Sequence, residues 1–323
     1  MKAFVTGITG FDGNYLGRLL LDNGVEVFGV ARSQRFDPFL PALSSAVRYR
    51  QLNVEDRAAL KDALEEIRPD LIFHLAAASS PSKSVSQPRL TYQTNLDGTF
   101  SLLEAVRLLN LPCRILVVSS SLVYGGLREK ERASESFPFR PETPYAGSKA
   151  TAELVAYQYW RSYGTEVVRV RPFNHTGPGQ KLGFLCPDSA SKLAEIEAGI
   201  RPPVLKVSGP RTSMDFSDVR DIVRGYHSAL IKGQPGQVYN LCSGTETTVE
   251  TVSKLLAAGV SCPVRLEEER HPAMREVSRL VGDSARAGVE LGWSVTIPLQ
   301  QTLEDVLDFW RDRVRTALAQ QSV

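Results

Sequence analysis

A tyrosine and a lysine four residues apart, Tyr145 and Lys149, are the side chains of this sequence best suited to chemistry. They open a predicted helix, and residues at this spacing lie on one helical face. A phenol with an ordinary pKa of about 10 exchanges protons poorly at neutral pH, and a nearby positive charge lowers that pKa. Ser120, which follows a predicted strand, adds a hydroxyl that can bind a substrate oxygen. Together these residue types suit proton transfer at a substrate oxygen.

A glycine-rich turn near the start of the chain is suited to binding phosphate groups. The sequence Gly7-Ile8-Thr9-Gly10-Phe11-Asp12-Gly13 follows a predicted strand and precedes a predicted helix. Glycines at this spacing allow a sharp turn and a close approach of the backbone to a pyrophosphate. The first N–H groups of the helix then face the phosphates. We predict a dinucleotide site whose contacts in this segment are Gly7, Thr9, Gly10, Phe11, Asp12 and Gly13.

The residues at the end of the second predicted strand indicate which dinucleotide is bound. An acidic side chain there would bind the ribose 2′-hydroxyl of NAD. The sequence instead reads Val30-Ala31-Arg32-Ser33, and Arg32 or the later Arg35 could contact the 2′-phosphate of NADP. The alternative is that Arg32 is an ordinary solvent-exposed arginine. The sequence favours NADP(H), with NAD(H) as the second choice.

Short apolar runs alternate with helical segments through the first half of the chain, and continuous apolar runs suit strands buried on both faces. We therefore predict an α/β fold, a Rossmann-type doubly wound parallel sheet with a smaller mixed α/β C-terminal substrate lobe. The predicted strands are Ala3–Val5, Val25–Val30, Leu71–Leu75, Arg114–Val118, Glu166–Val170 and Val238–Leu241. The predicted helices are Tyr15–Asp22, Asp56–Ile67, Asn95–Leu109, Ser148–Tyr163, Ser217–Leu230 and Leu299–Arg313.

The chain changes character after Arg171, where glycines and prolines crowd residues 172–187. This composition is typical of an irregular loop that forms a site. We predict an NADP-binding domain over residues 1–172, to which residues 206–242 partly return. Residues 173–323 are then mainly a substrate-binding lobe.

Composition argues against several classes of function. The 323 residues carry a formal net charge of +2 and no basic block, so we expect no nucleic-acid partner. No secretory signal and no stretch of transmembrane length is visible, and we expect a cytoplasmic protein with no membrane partner. The cysteines are widely spaced and form no CxxC pair, which predicts small buried side chains and neither a metal site nor disulfides. They are Cys113, Cys186, Cys242 and Cys262.

Several motifs together resemble the extended short-chain dehydrogenase/reductase family. They are the glycine turn, the serine after a strand, Tyr145-x-x-x-Lys149, His74-Leu75-Ala76-Ala77 and Asn95-x-x-Gly98-Thr99, in the order that the family has them. The resemblance spans nearly the whole chain and implies an NAD(P)-dependent enzyme. In such an enzyme Ser120 positions the substrate ketone and Tyr145 donates the proton. Lys149 and the nicotinamide lower the pKa of the tyrosine, and Lys149 also holds the nicotinamide ribose.

The resemblance also implies further contacts. Cofactor contacts expected beyond the glycine turn and Arg32 are Asn53, Val54, Leu75, Ala76, Ala77, Asn95, Tyr145, Lys149, Pro172, Asn174 and His175. Expected substrate contacts are Ser79, Ser121, Asn174, Lys192, Arg211 and Glu276. Two interpretations of His175 stay open: contact with substrate or backbone, or a structural role that caps the turn. His74, at the end of a buried strand, is interpreted as structural.

Within the family the chain is most similar to enzymes of nucleotide-diphosphate sugars. The segment Thr6–Leu16 resembles GDP-mannose 4,6-dehydratases, whereas Arg171–Phe184 and Asp215–Val223 resemble GDP-4-keto-6-deoxy-D-mannose reductases. The dehydratases carry an acidic residue two places before the tyrosine of the serine strand, where this chain has Leu122. Leucine cannot transfer a proton, which disfavours 4,6-dehydration and leaves hydride transfer to a sugar ketone or the oxidise-then-reduce cycle of a 4-epimerase.

Two departures from the reductases keep the nucleotide open between GDP and another base such as dTDP. The arginines that the reductases carry are replaced by Met214 and Ala273, although Arg211 and Arg275 lie near enough in sequence to compensate. We predict an NADPH-dependent reductase of a nucleotide-diphosphate 4-keto-6-deoxyhexose. The alternatives are a 4-epimerase with tightly held cofactor and a non-catalytic dinucleotide-sensing protein.

The family resemblance also implies a homodimer. In it the helices predicted at Asn95–Leu109 and Ser148–Tyr163 pair across the interface. Tyr157 and Trp160 are apolar enough to contribute, although they could equally be core residues.

Overall fold

The computed structural model describes residues 1–33, 43, 45–269 and 279–321, and its centre is a parallel sheet of seven strands. In chain order the described strands are β1 (Lys2–Thr6), β2 (Glu26–Ala31), β3 (Arg48–Gln51), β4 (Leu71–His74), β5 (Arg114–Val118), β6 (Val167–Pro172), β7 (Asn174–Thr176), β8 (Val204–Ser208), β9 (Ser213–Asp218), β10 (Val238–Leu241), β11 (Glu246–Thr248), β12 (Arg265–Glu269) and β13 (Arg279–Leu280). The central sheet has the order β10-β6-β5-β4-β1-β2-β3. The order reverses between β1 and β4, and such a switch point opens a crevice at the carboxyl ends of the strands.

Helices cover both faces of this sheet. In chain order they are α1 (Phe11–Asp22), α2 (Arg57–Ile67), α3 (Pro81–Ser86), α4 (Pro88–Tyr92), α5 (Gly98–Leu108), α6 (Pro144–Tyr163), α7 (Leu185–Glu197), α8 (Val219–Lys232), α9 (Val249–Ala258) and α10 (Leu299–Gln321). Side chains alternate between the two faces of a strand, so Val5 of β1 packs in the core beneath α1 and α8. Its neighbour Phe4 packs in the core beneath α2, α5 and α6.

The predicted doubly wound parallel sheet is confirmed. All neighbouring pairs of its strands are parallel, for example β1 with β2 and β5 with β6. The strand β3 was not predicted, because its sequence Arg48-Tyr49-Arg50-Gln51 is polar and mostly exposed at the edge of the sheet. Edge strands commonly carry such charged residues.

Smaller sheets and a third core make up much of the second half of the chain. One small sheet joins β11, β9 and β13, with β7 also paired to β9, and another joins β8 and β12. Side chains of α7, α9 and α10 form the third core. The strand β10 lies beside β6 in the central sheet, and α8 packs in the same core as α1.

The segment predicted as an irregular loop contains regular structure at both ends. Residues Asn174–Thr176 form β7, and α7 begins at Leu185. Pro187 is compatible with this helix because it lies in the first turn, where the missing N–H has no partner to lose. Three-residue strands give too short a pattern for sequence reasoning to detect.

The cysteines match the prediction of small buried side chains. All four cysteines are free thiols, with three buried and Cys262 partly buried. In the described parts of the chain, none of the helices has the length and apolar character that a membrane crossing requires.

Candidate active site

The glycine turn between β1 and α1 leaves no room for larger side chains. Gly7 has a φ of +76°, and a Cβ there would lie 2.9 Å from the backbone nitrogen of Ala76. A Cβ at Gly13 would lie 2.3 Å from the carbonyl oxygen of Gly7. Gly10 is the N-cap of α1 and provides no side-chain hydrogen bond to the helix. The helix N-terminus is therefore not capped by a side chain, which fits the requirement of a dinucleotide phosphate.

Arg32 directly follows β2, and its side chain is exposed. Two side chains of β3 fix the backbone around it. The Gln51 amide donates to the carbonyl oxygen of Arg32 at 2.8 Å, and the Tyr49 hydroxyl donates to that of Ser33 at 2.8 Å. The strand β3, which was not predicted, therefore fixes the backbone position from which the Arg32 side chain extends. Arg35 lies outside the described residues.

The residues after β4 border the glycine turn at the switch point. Thr6 Oγ1 accepts a hydrogen bond from Ala76 N at 3.1 Å and bonds His74 Nδ1 at 2.9 Å. His74 Nε2 lies 3.0 Å from Thr99 Oγ1. Burial lowers the pKa of His74 to about 3, and the charge of Lys149 acts in the same direction. A neutral His74 thus joins β1, β4 and α5, and Leu75–Ala77 are held beside Gly7.

Asn95 connects the loop after β4 to the helix that carries the tyrosine. Its Oδ1 accepts from Ala78 N at 2.7 Å, and its Nδ2 donates to Ser148 Oγ at 2.8 Å. Ser148 Oγ in turn donates to the carbonyl oxygen of Tyr145 at 2.7 Å. Asn95 lies in a short π-helical segment, Gln93–Asp97, a feature that often occurs at functional sites. Direct contact of Asn95 with a cofactor stays a prediction.

Other cofactor candidates follow the carboxyl ends of strands. Asn53 is half-buried and accepts from Glu55 N at 3.3 Å. Val54 is buried and faces Gly98, where a Cβ would lie 2.7 Å from Val54 Cγ2. Pro172 ends β6 and Asn174 begins β7, so both lie near the crevice.

Ser120, Tyr145 and Lys149 lie where β5 ends and α6 begins. Ser120 Oγ accepts from Leu122 N at 3.2 Å, and the Ser120 side chain lies close enough to Tyr145 to lower the pKa of its phenol. Lys149 Nζ donates to the carbonyl oxygen of Val118 at 2.7 Å. The three residues are only 8%, 9% and 7% exposed, so water competes little for their hydrogen bonds.

Burial dominates the protonation of this group. It raises the pKa of Tyr145 to about 12, against the lowering effect of the nearby Ser120 hydroxyl, and the charge of Asp12 raises it further. Burial also lowers the pKa of Lys149 to about 8, against the raising effects of Asp12 and Glu153. The expected lowering of the Tyr145 pKa is therefore not produced by the protein groups alone, because desolvation of the phenolate outweighs them. A neutral Tyr145 is in the protonation state of a proton donor.

His175 joins the segment after β6 to the first turn of α1. Its Nδ1 lies 2.8 Å from the carbonyl oxygen of Phe173, and its Nε2 lies 3.0 Å from Asp12 Oδ1. The Phe11 ring stacks on it with a centroid distance of 6.3 Å. Of the two interpretations of His175, the structure shows the backbone contact and adds the contact to Asp12.

Two residues near the site gave no signal in the sequence. Ser84 of α3 is buried, and its Oγ accepts from Tyr145 N at 3.1 Å. Tyr226 of α8 donates its hydroxyl hydrogen to Asp12 Oδ2 at 2.8 Å. These contacts join residues 61 and 214 positions apart, a separation at which local patterns carry no information.

The predicted substrate contacts are spread over several environments. Ser121 is buried, Asn174 is half-buried, and Ser79, Lys192 and Arg211 are exposed. Glu276, with Ala273 and Arg275, lies outside the described residues. Met214 is partly buried against the third core, which accounts for this apolar residue by packing.

Comparison with known proteins identifies the family. The family described as GDP-mannose 4,6 dehydratase matches residues 4–306. The chain belongs to this family. It is 34% identical to the GDP-6-deoxy-D-mannose reductase of Pseudomonas aeruginosa, over 97% of this chain and 98% of that protein. It is also 30% identical to the UDP-glucose 4-epimerase of Mycolicibacterium smegmatis, over 97% of this chain and 99% of the relative.

A solved structure agrees with these matches. The structure of RMD from Pseudomonas aeruginosa complexed with NADPH has a TM-score of 0.83 and 31% sequence identity to this chain. The alignment covers 97% of this chain and 99% of that one. The predicted extended short-chain dehydrogenase/reductase, and with it the prediction of an enzyme, is confirmed.

The relatives include a reductase, an epimerase and a dehydratase family. Which of these reactions fits this chain therefore depends on the residues next to Ser120. Leu122 is partly buried and packs with Val123 and Tyr124. The Tyr124 hydroxyl donates to Asn240 Oδ1 and accepts from Arg171 Nη1, each at 2.7 Å. Tyr124 is thus held by two partners, and Leu122 presents no group that can transfer a proton.

Proposed function

We propose that this protein is an NADPH-dependent reductase of a nucleotide-diphosphate 4-keto-6-deoxyhexose, with a GDP-linked sugar as the preferred substrate. The observation that carries the proposal is the burial of Ser120, Tyr145 and Lys149 where β5 ends and α6 begins, with Leu122 at the position of the dehydratase acid. This arrangement can protonate a ketone oxygen but lacks that acid for eliminating water. The similarity to a GDP-6-deoxy-D-mannose reductase supports the same substrate class.

The cofactor is NADP(H), as predicted, with NAD(H) as the second choice. A similar structure is complexed with NADPH. The uncapped N-terminus of α1 and the crowded glycines fit the diphosphate, and exposed Arg32 fits a 2′-phosphate. The bound cofactor supplies the hydride that reduces the ketone carbon.

The protein groups supply the proton and the orientation of the substrate. Ser120 Oγ can donate a hydrogen bond to the ketone oxygen while it remains next to the Tyr145 hydroxyl. Tyr145, neutral because burial raises its pKa to about 12, donates its proton to the oxygen as negative charge develops there. Lys149 contributes a positive charge that stabilises the resulting phenolate until a proton returns.

The nucleotide diphosphate needs cationic partners on the other side of the crevice. Arg211 lies in the turn between β8 and β9, and Lys192 lies on α7. Both side chains are exposed, so each can reorient toward a phosphate at little cost in packing. These residues, with Ser79, Ser121, Asn174 and Glu276, remain proposed substrate contacts.

The test is oxidation of NADPH, followed by the nicotinamide absorbance, with GDP-4-keto-6-deoxymannose as substrate. NADH and the dTDP-linked analogue are run in parallel. We expect stoichiometric loss of NADPH with the GDP-linked sugar and a slower reaction with NADH. Interconversion of sugar epimers without net loss of NADPH would contradict the reductase and establish the epimerase instead.

We also propose a homodimer formed through α5 and α6. Five apolar or aromatic side chains on these helices are 37–55% exposed: Phe100, Leu108, Leu154, Tyr157 and Tyr163. Trp160 is a weaker candidate for the interface, because its ring packs against Gly236. A Cβ added to that glycine would lie 2.4 Å from the ring. Light scattering should give the mass of a dimer, and Leu154→Asp should shift it toward the monomer. A monomeric parent protein would refute the proposal.

A further inference from the structure

The first turn of α1 carries an acid where the proposed function places a diphosphate. Asp12 is the second residue of this helix, and its side chain is 22% exposed. A carboxylate in a first turn interacts well with the helix dipole. The same charge repels a phosphate group that binds at that helix end. The sequence of the turn therefore contains an electrostatic conflict that some other group has to relieve.

The geometry around His175 shows how the conflict is relieved. Its Nδ1 faces the carbonyl oxygen of Phe173 at 2.8 Å, and its Nε2 faces Asp12 Oδ1 at 3.0 Å. A carbonyl oxygen and a carboxylate oxygen can only accept hydrogen bonds. Both ring nitrogens must then donate, which makes His175 an imidazolium. The Tyr226 hydroxyl donates to the other oxygen of Asp12 at 2.8 Å, as expected for an ionised carboxylate.

The titration of the two groups agrees with this ion pair. Burial raises the pKa of Asp12, but His175, Tyr226 and Lys149 together outweigh burial, and the net direction is downward. Burial lowers the pKa of His175, but Asp12, the Phe173 carbonyl and Asp218 together outweigh it, and the net direction is upward. Lys149 also attracts Asp12, and Asp218 also attracts His175. Among the residues that the structure describes, His175 and Tyr226 are the ones hydrogen-bonded to the carboxylate, and of these two only His175 carries charge.

We propose that His175 is a positioning residue for the cofactor: as an imidazolium it neutralises Asp12 and turns its carboxylate away from the diphosphate site. This inference rests on the proposed function only in taking a dinucleotide as the ligand of the glycine turn. It assigns His175 no proton transfer to the substrate. Its consequence is that an uncompensated Asp12 selectively weakens binding of ligands that carry the diphosphate.

The test compares two ligands and three variants by equilibrium binding. The ligands are NADPH and adenosine 2′-monophosphate, which lacks the diphosphate; the variants are His175→Asn, Asp12→Asn and the double variant. For NADPH we expect His175→Asn to raise the Kd about tenfold, the size of a single charge interaction near a protein surface. The double variant should return to within about threefold of the parent, since the repelling charge is gone. Binding of adenosine 2′-monophosphate should stay unchanged in all variants.

The outcomes separate the inference from the proposed function. Equal weakening of both ligands, or no recovery in the double variant, would mean that His175 acts only in folding and would overturn the inference. Failure of the parent protein to bind NADPH would instead refute the proposed cofactor. The protonation of His175 can be measured without any variant, by nitrogen NMR of the imidazole side chains at neutral pH. The chain has only four histidines, so assignment is practicable, and a singly protonated His175 ring would also overturn the inference.

Discussion

The proposed cofactor side and the proposed substrate side of the crevice differ in the atoms that form them. On the cofactor side, backbone atoms define the shape: the turn from Gly7 to Gly13 is so crowded that an added Cβ would overlap carbonyl groups. On the substrate side, the candidate contacts are mostly side chains, and Ser79, Lys192 and Arg211 are exposed. A binding surface formed by backbone atoms tolerates almost no substitution, whereas exposed side chains can be substituted one at a time.

We infer that this difference lets relatives as varied as a reductase, an epimerase and dehydratases share one way of binding a dinucleotide. The exposed side chains would then select the sugar nucleotide, whereas residues beside Ser120, such as Leu122, would select the reaction. Ser120, Tyr145 and Lys149 lie between the two halves, at the end of β5 and the start of α6. The four predictions that follow begin at this junction and end on the exposed side chains.

Loss of the proton donor should have the largest effect. We expect Tyr145→Phe to lower kcat about 10²–10⁴-fold, the usual contribution of a general acid. The Kd for NADPH should change by less than about threefold, because binding of the diphosphate does not involve the phenol. Single-turnover kinetics and equilibrium binding measure the two quantities. Tyr163→Phe, a matched change at the last residue of the same helix that keeps the aromatic ring, should leave both unchanged; retention of activity in Tyr145→Phe would exclude this tyrosine as the acid.

A single methyl group in the glycine turn should have the next largest effect. Gly13→Ala places a Cβ 2.3 Å from the Gly7 carbonyl oxygen, which the backbone can relieve only by deforming the turn. We expect the Kd for NADPH to rise about 10–100-fold, in line with the cost of overpacking. Gly288→Ala is the control, since its nearest neighbour would be 3.9 Å away. If both variants bind NADPH equally well, the turn is not the cofactor site.

The protonation of Lys149 should set a limb of the pH profile. Burial lowers its pKa to about 8, so the ammonium is lost as pH rises through that value, while Tyr145 stays protonated until about 12. We expect kcat/KM for ketone reduction to fall above pH 8. Lys149→Arg keeps the charge at high pH and should move that limb upward, at some loss of rate. A limb that stays in place in this variant would assign it to another group.

The smallest effects are expected at the exposed cations. Arg211→Ala should raise KM for the sugar nucleotide by no more than about fivefold, because exposed ion pairs contribute little. Lys192→Ala should behave similarly, and neither should change the Kd for NADPH. Steady-state kinetics at low ionic strength would show the effect best. A larger effect on NADPH than on the sugar nucleotide would place that cation on the cofactor side and remove the distinction between the halves.

Particular residues show why some of the site could be predicted and some could not. The glycine turn and the Tyr145–Lys149 pair are local patterns, so their positions followed from the order of strand, turn and helix. The edge strand β3 was not predicted, because its residues are polar. Its residues Tyr49 and Gln51 nevertheless fix the backbone around Arg32. Ser84 and Tyr226 also escaped, because they reach Tyr145 and Asp12 across long sequence separations.

The sequence by itself determined the doubly wound sheet, the family, and the positions of the glycine turn and of the Tyr145–Lys149 pair, because each depends on spacing within a short segment. Only the tertiary structure decided which state these groups adopt. Burial keeps Tyr145 neutral and lowers the pKa of Lys149, and packing of α8 and β7 against α1 brings Tyr226 and His175 to Asp12. Desolvation and hydrogen bonding depend on what surrounds a group in three dimensions, and local sequence does not contain that information.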